Sequence, residues 1–105
     1  MDEKTKRQLA VRARIIKALA HPARLFIAQT LLEGERCVCD LTSLIGSDIS
    51  TVSKHLSVMR NAGIVQDDKR GNQVFYSLKT PCLFNFLHCV EAVLQESKEE
   101  YNVIK

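Results

Sequence analysis

Two short helical segments, separated by a tight turn, are the feature of this sequence that most restricts its fold. The spacing of leucine and isoleucine over residues 40–45 predicts a short helix, and Gly46 ends it. Residues 47–48 form the turn, and Ser50 is then a suitable N-cap for a second helix that runs to about Ala62. The sequence therefore predicts two helices joined by a tight turn.

The second of these helices is predicted to have two chemically different faces. At about 100° per residue, Val52, Leu56 and Met59 share one side, which is expected to pack. The opposite side carries hydroxyl and basic side chains, namely Ser50, Ser53, Lys54 and Ser57. Hydroxyl groups and the free N–H groups of a helix N-terminus allow close approach to phosphates, so we expect this face to contact DNA. The candidate contacts are Ser50, Thr51, Ser53 and Lys54, with His55 as a fifth.

The remaining segments predict a mostly helical single domain over residues 1–105 with one small β-hairpin. In chain order they are a helix over about 4–19, a helix from Pro22 to Gly34, a hairpin with strands over 64–67 and 73–78, and a final helix that Pro81 starts. This order is typical of a winged helix-turn-helix domain, in which the hairpin is the wing. The first and last helices carry apolar stripes and are left for a dimer interface. A symmetric dimer would read a palindromic site in double-stranded DNA.

The turn of the hairpin, predicted over residues 68–72, is basic. We expect it to reach flanking phosphates or the minor groove through Lys69, Arg70, Asn72 and Gln73. The whole chain has 15 Lys and Arg residues against 12 Asp and Glu residues, a net charge of +3 that is too small to indicate DNA binding by itself. The prediction therefore depends on where the charges lie.

Length and cysteine usage exclude several other classes of protein. A chain of 105 residues cannot form a TIM barrel or a two-domain nucleotide enzyme. The charged opening segment and the lack of a long apolar run predict a cytoplasmic protein without a membrane span, and its four cysteines are expected to be reduced thiols. No Cys-x-x-Cys motif occurs and only four glycines are present, so we do not expect a thiol enzyme. A purely structural interaction module is a further alternative. It would show no salt-dependent affinity for DNA, whereas a protein that neutralises phosphates binds DNA much more weakly as salt is added.

The chain closely resembles the ArsR/SmtB family of bacterial metalloregulatory repressors over nearly all its length. The stretches that carry the resemblance are 18–25 (ALAHPARL), 35–41 (ERCVCDL), 50–56 (STVSKHL), 62–65 (AGIV) and 69–78 (KRGNQVFYSL). The resemblance implies a homodimeric repressor that holds its operator when free of ligand and releases it when an inducer binds. It also matches Cys37-Val38-Cys39 to the Cys-Val-Cys box of the family's arsenical, cadmium and lead sensors.

The box needs an irregular helix entrance if both sulfur atoms are to bind one ion. On a regular helix, residues two positions apart point roughly 200° away from each other. Local unwinding at the entrance would bring the two thiols together, and helix-start N–H groups with Arg36 are expected to favour the thiolates. Soft ions prefer thiolates, so trivalent arsenic or antimony is the first choice of inducer, with cadmium or lead as further candidates.

A third sulfur ligand is harder to place. The resemblance implies another cysteine three residues after the box for arsenicals, but Thr42 stands there, and no cysteine precedes Cys37. Cys82 and Cys89 are separated by about 10 Å of helix rise, so at most one can join the box. Cys82, at a helix start, is preferred, and Cys89 is expected to be a buried packing residue. An external third ligand, a methylated arsenical, or a redox or persulfide switch on the same thiols remain alternatives.

Overall fold

The computed structural model of the chain describes residues 1–97 and has five helices with one small sheet. The elements are α1 (Glu3–Lys17), α2 (Pro22–Leu32), β1 (Arg36–Cys37), α3 (Val38–Ile45), α4 (Ile49–Asn61), β2 (Val65–Arg70), β3 (Gln73–Leu78) and α5 (Leu83–Glu96). Helices α3 and α4, joined by the turn at residues 46–48, are the predicted pair, and β2 with β3 forms the wing. The predicted winged helix-turn-helix architecture is confirmed.

The residue that caps the start of α4 is not the one that was predicted. Asp48 is the N-cap, because its carboxylate accepts a hydrogen bond from the Thr51 N–H at 3.0 Å. Ser50 lies inside the first turn, where its hydroxyl donates to the same carboxylate at 3.3 Å. Gly46 takes a left-handed conformation at φ 80°, which ends α3 and allows the chain to turn directly into the cap. The prediction that Ser50 caps the helix was therefore wrong.

The sheet has a third strand that the sequence did not reveal. Its order is β1-β3-β2, and all neighbours are antiparallel. Strand β1 consists of two residues, and so short a segment cannot show the alternation of apolar and polar residues that identifies a strand. It nevertheless places Cys37 opposite Phe75 of the wing.

The wing turn is also tighter than predicted. Strand β2 continues to Arg70, which pairs with Gln73, so the turn consists of residues 71–72 rather than 68–72. Gly71, at φ 61°, supplies the left-handed conformation that a two-residue hairpin turn requires. Lys69 and Arg70 consequently belong to a strand whose pairing fixes their direction.

The core lies between α2, α3, α4 and the base of the wing. Its fully buried side chains come from all three helices and from the first residue of β2; the largest are Ile27, Leu41, Val52, Leu56, Met59 and Val65. The predicted packing face of α4 is thus confirmed. Helices α3 and α4 share this core, so a displacement of one changes the position of the other.

Helices α1 and α5 contribute little to this core. Neither contains a buried residue. Their exposed apolar side chains are Leu9, Val11, Ile15 and Ile16 on α1, and Phe84, Phe86, Val90 and Val93 on α5. Apolar faces of this kind are typical of protein–protein interfaces, in agreement with the predicted dimer through the first and last helices. Among residues 1–97, none of the helices combines the length and apolar character needed to cross a lipid bilayer.

Candidate thiol site and nucleic-acid interface

The two box cysteines lie on either side of a strand-to-helix junction. Cys37 ends β1 and is the N-cap of α3, with an extended backbone at φ −78° and ψ 161°. Its Sγ accepts a hydrogen bond from the Asp40 N–H at 3.4 Å, and the residue is only 6% exposed. Cys39, in the first turn of α3, is exposed. The backbone changes from extended to helical between them, which is the irregular helix entrance that the spacing required.

The Cys37 thiol is held as the neutral form more firmly than the sequence indicated. The Asp40 N–H, the largest single influence, lowers the pKa of Cys37, but burial, the Asp40 carboxylate and the neighbouring Cys39 thiol together raise it above its usual value. Arg36 is not among the groups that shift this pKa; its guanidinium donates to the carbonyl groups of Gly34 and Glu35 and lies 3.7 Å from the Glu33 carboxylate. For Cys37, the helix N–H group favours the thiolate as expected, but the other influences outweigh it and Arg36 is not one of the groups that shift its pKa.

The cysteines of the last helix lie apart from the box within one protomer. Among residues 1–97, no group of three or more Cys, His, Asp or Glu side chains is close enough to hold one metal ion. Cys82 precedes α5 and forms no capping hydrogen bond through its side chain. Cys89 is exposed rather than buried, since within residues 1–97 only part of the apolar face of α5, including Leu83 and Leu87, packs against the core. The structure therefore corrects the prediction for Cys89, and it does not bring Cys82 to the box in a single protomer.

The predicted DNA face of α4 is accessible. Four of the five candidate contacts are exposed: Ser50, Thr51, Ser53 and Lys54. The Thr51 N–H already donates to Asp48 and is therefore not free to bind a phosphate. The side chains of this face are thus its main candidates for contacts with DNA.

His55 differs from the other four candidates because it packs inwards. Its ring lies 4.4 Å, centroid to centroid, from the ring of His21. His21 is itself the N-cap of α2, where its Nδ1 accepts from the Ala23 N–H at 3.0 Å. Burial first, and then the charges of His21 and Arg24, lower the pKa of His55. His55 therefore connects α4 to α2.

The four wing candidates fall into two groups. Lys69, Asn72 and Gln73 are exposed near the tip. Arg70 instead forms ion pairs with Glu35 at 2.6 Å and with Asp68 at 2.9 Å. Sequence analysis missed this arrangement because Glu35 and Arg70 are 35 positions apart, and only the pairing of β1 with β3 brings their segments together.

Comparison with known proteins agrees with this architecture. Residues 21–67 match the family model for bacterial regulatory proteins of the arsR family. The chain is 46% identical over 67 residues to a cadmium resistance transcriptional regulatory protein CadC homolog of Staphylococcus aureus, covering 63% of this chain and 55% of that protein. It is 40% identical over 81 residues to the biofilm growth-associated repressor of Xylella fastidiosa, covering 74% of this chain and 71% of that protein.

A solved structure with the same fold is a homodimer. The homodimeric winged helix-turn-helix DNA-binding domain Mb0332 of Mycobacterium bovis superposes with a TM-score of 0.80 at 27% identity, covering 95% of this chain and 93% of that one. These relatives are transcriptional regulators, in agreement with the exclusion of an enzyme. The chain therefore belongs to the arsR family of bacterial regulatory proteins and has the family's winged helix-turn-helix fold.

Proposed function

We propose that this protein is a dimeric transcriptional repressor that binds a palindromic operator and releases it when a thiophilic inducer binds Cys37 and Cys39. Trivalent arsenic or antimony is the preferred inducer. The observation that carries the proposal is the position of the two thiols, one in the sheet that bears the wing and one on the helix that packs against α4. A ligand joining them acts on both DNA-facing elements at once.

The DNA face combines α4 and the wing. Ser50, Thr51, Ser53 and Lys54 are small or basic side chains on the exposed face of a helix whose opposite face is completely buried. A rigid helix of this kind fits the major groove, and Lys69, Asn72 and Gln73 would lie along the flanking backbone. His55 supports this face from behind through His21.

The state of Cys37 favours an inducer that can accept thiol protons. Arsenous acid, As(OH)₃, loses one hydroxide as water for each thiol that it binds, so the proton of Cys37 leaves with the hydroxide. A bare cadmium or lead ion must instead displace the proton to solvent, which becomes more costly as the pKa of the thiol rises. This difference supports the choice of arsenic and antimony over the divalent ions as inducers.

The third ligand of a pyramidal site would be Cys82 or an external group. Cys82 is exposed and precedes α5, one of the two helices with open apolar faces, so formation of the dimer changes its surroundings. Cys89, also exposed, lies within α5 and provides a matched control for the cysteine substitutions.

Inducer binding must change the free energy of operator binding. The Cys37 Sγ has to leave the Asp40 N–H when it bonds to a ligand, and the first turn of α3 moves with it. Because α3 shares its core with α4, the DNA face shifts; coupling between two sites of this kind is typically about 1–3 kcal/mol.

Operator release measured by fluorescence anisotropy tests the proposal. The experiment uses a thiol-free reductant, arsenite as the probe, and the variants Cys37→Ser, Cys39→Ser and Cys89→Ser. The first two are expected to bind DNA normally but to lose the response to arsenite, whereas Cys89→Ser responds like the wild type. Wild-type release of the operator in both box variants would show that the box is not the sensor.

The same thiols support a second function, redox or persulfide sensing. The exposed Cys39 lies beside Cys37 closely enough to affect its pKa, so the two thiols can react as a pair. Release under reducing conditions with arsenite favours the metal sensor. Release only by an oxidant or a sulfane-sulfur donor favours the switch.

A further inference from the structure

Arg70 is held by three partners that come from two different parts of the fold. Its Nη1 and Nη2 donate to the two carboxylate oxygens of Glu35 at 2.6 and 3.0 Å, and its Nε donates to Asp68 at 2.9 Å. Its guanidinium carbon lies 4.6 Å from the centroid of the Phe75 ring. We call these four residues the wing clamp. Hydrogen bonding with Glu35 raises the pKa of Arg70, and the same contact lowers the pKa of Glu35.

The wing clamp connects the wing directly to the cysteine box. Glu35 precedes Cys37 by two residues, and Phe75 is the cross-strand partner of Cys37. The connection therefore has two parts, the backbone hydrogen bonds between β1 and β3 and the side-chain bridge through Arg70. A bidentate pair fixes orientation as well as distance, so the two segments are expected to move together.

The charge of Arg70 is already balanced within the protein. Two carboxylates contact it. Its neighbour Lys69 takes part in none of the ion pairs found within residues 1–97. A DNA phosphate would have to displace Glu35 or Asp68 to reach Arg70. Lys69 is exposed and can neutralise a phosphate without breaking an ion pair.

We infer that Arg70 is a positioning residue rather than a phosphate contact, and that its bridge to Glu35 transmits ligand binding at Cys37 to the wing. This inference rests on the proposed function. When the Cys37 Sγ gives up the Asp40 N–H for a ligand, the backbone of residues 35–37 must adjust. The clamp carries that adjustment to β2 and β3, which changes how the wing meets DNA.

The salt dependence of operator binding separates the two roles of a wing cation. Lys69→Gln is expected to reduce the slope of log affinity against log salt by about 1, as for the loss of one phosphate contact. Arg70→Gln is expected to keep the wild-type slope. A slope reduced by about 1 in Arg70→Gln would overturn the inference.

The coupling itself is measured as the ratio of operator affinities without and with arsenite. Glu35→Gln and Arg70→Gln are each expected to reduce this ratio at least about fivefold, and the double variant no further, because both remove the same bridge. The control Lys69→Gln keeps the wild-type ratio. A wild-type ratio in both clamp variants would overturn the inference.

A measurement without DNA keeps this test independent of the proposed function. Backbone amide hydrogen exchange over residues 65–78 is expected to be faster in Glu35→Gln than in the wild type, because the wing loses a restraint. Unchanged exchange would show that the clamp does not hold the wing. Failure of the wild type to bind an operator would contradict the proposed function. If the wild type releases its operator normally with arsenite, but Glu35→Gln changes neither hydrogen exchange nor the affinity ratio, only the role of the clamp is contradicted.

Discussion

The centre of the molecule and its two outer helices differ in how far one chain completes their packing. Helices α2, α3 and α4 bury side chains such as Ile27, Leu41 and Leu56 completely. Helices α1 and α5 have amphipathic sequences, as α3 and α4 do, but contain no buried residue. The packing of the unit proposed to contact DNA is thus complete within one protomer, while the outer helices leave apolar faces for a second surface. The proposed ligand-sensing site lies at the edge of the complete part, where β1 joins α3.

The largest expected effect comes from opening a cavity in the core formed by α2, α3 and α4. Leu56→Ala removes a fully buried side chain from α4 and should lower the free energy of unfolding by about 2–5 kcal/mol, since the removed atoms leave a void. Urea denaturation at fixed protein concentration measures the change. Ile49→Ala, at a position 59% exposed on the same helix, should change the free energy of unfolding by no more than about 0.5 kcal/mol. Equal effects in the two variants would contradict the assignment of the core.

The second expected effect concerns assembly rather than folding. Val93→Glu places a charge on the most exposed apolar position of α5 and should convert the dimer to a folded monomer. Affinity for a full palindrome should then fall roughly 100-fold, because two linked half-site contacts become independent. Sedimentation and operator titration measure both changes.

A matched variant shows whether charge alone has this effect. Gln95→Glu introduces the same carboxylate at an exposed polar position of α5 and should remain dimeric. A dimeric Val93→Glu variant with wild-type operator affinity would show that α5 does not contribute to the interface.

The smallest expected effect distinguishes the two candidate caps of α4. Asp48→Ala should lower Tm by roughly 4–8 °C, whereas Ser50→Ala should change it by less than about 2 °C, because only Asp48 accepts the Thr51 N–H. Hydrogen bonding from Thr51 lowers the pKa of Asp48 below 3.8, so the cap stabilises the fold fully above that pH and loses its effect as pH falls through the lowered value. The Tm difference between wild type and Asp48→Ala should therefore vanish in strong acid. A larger loss in Ser50→Ala than in Asp48→Ala would restore the original prediction.

Much of the fold could be predicted because its determinants are local. The periodicity of Val52, Leu56 and Met59 identified the buried face of α4, and the alternating segments identified the wing. The prediction that Gly46 ends α3 is confirmed. The element boundaries were less accurate, since Asp48 and Ser50 are both good capping residues and only the final backbone geometry selects between them.

The candidate sites were predicted less completely because they depend on contacts between distant segments. The family resemblance identified the two box cysteines, but the raised pKa of Cys37 depends in part on its burial in the folded chain. His55 was grouped with the exposed face of α4, yet its ring lies against His21 of another helix. Arg70 appeared to be a free cation until β1 and β3 brought Glu35 to it.

The sequence by itself determined which segments are helical, which face of α4 carries hydroxyl and basic groups, and that two soft thiols lie at the start of the helix pair. Hydrophobic period, glycine placement and residue chemistry act over a few neighbouring positions, so they can be read along the chain. Only the tertiary structure decided that one thiol is buried in the sheet, that Asp48 rather than Ser50 caps α4, and that Arg70 joins the wing to the cysteine box. Those features depend on burial and on charge pairing across the fold, which exist only after residues far apart in sequence have packed together.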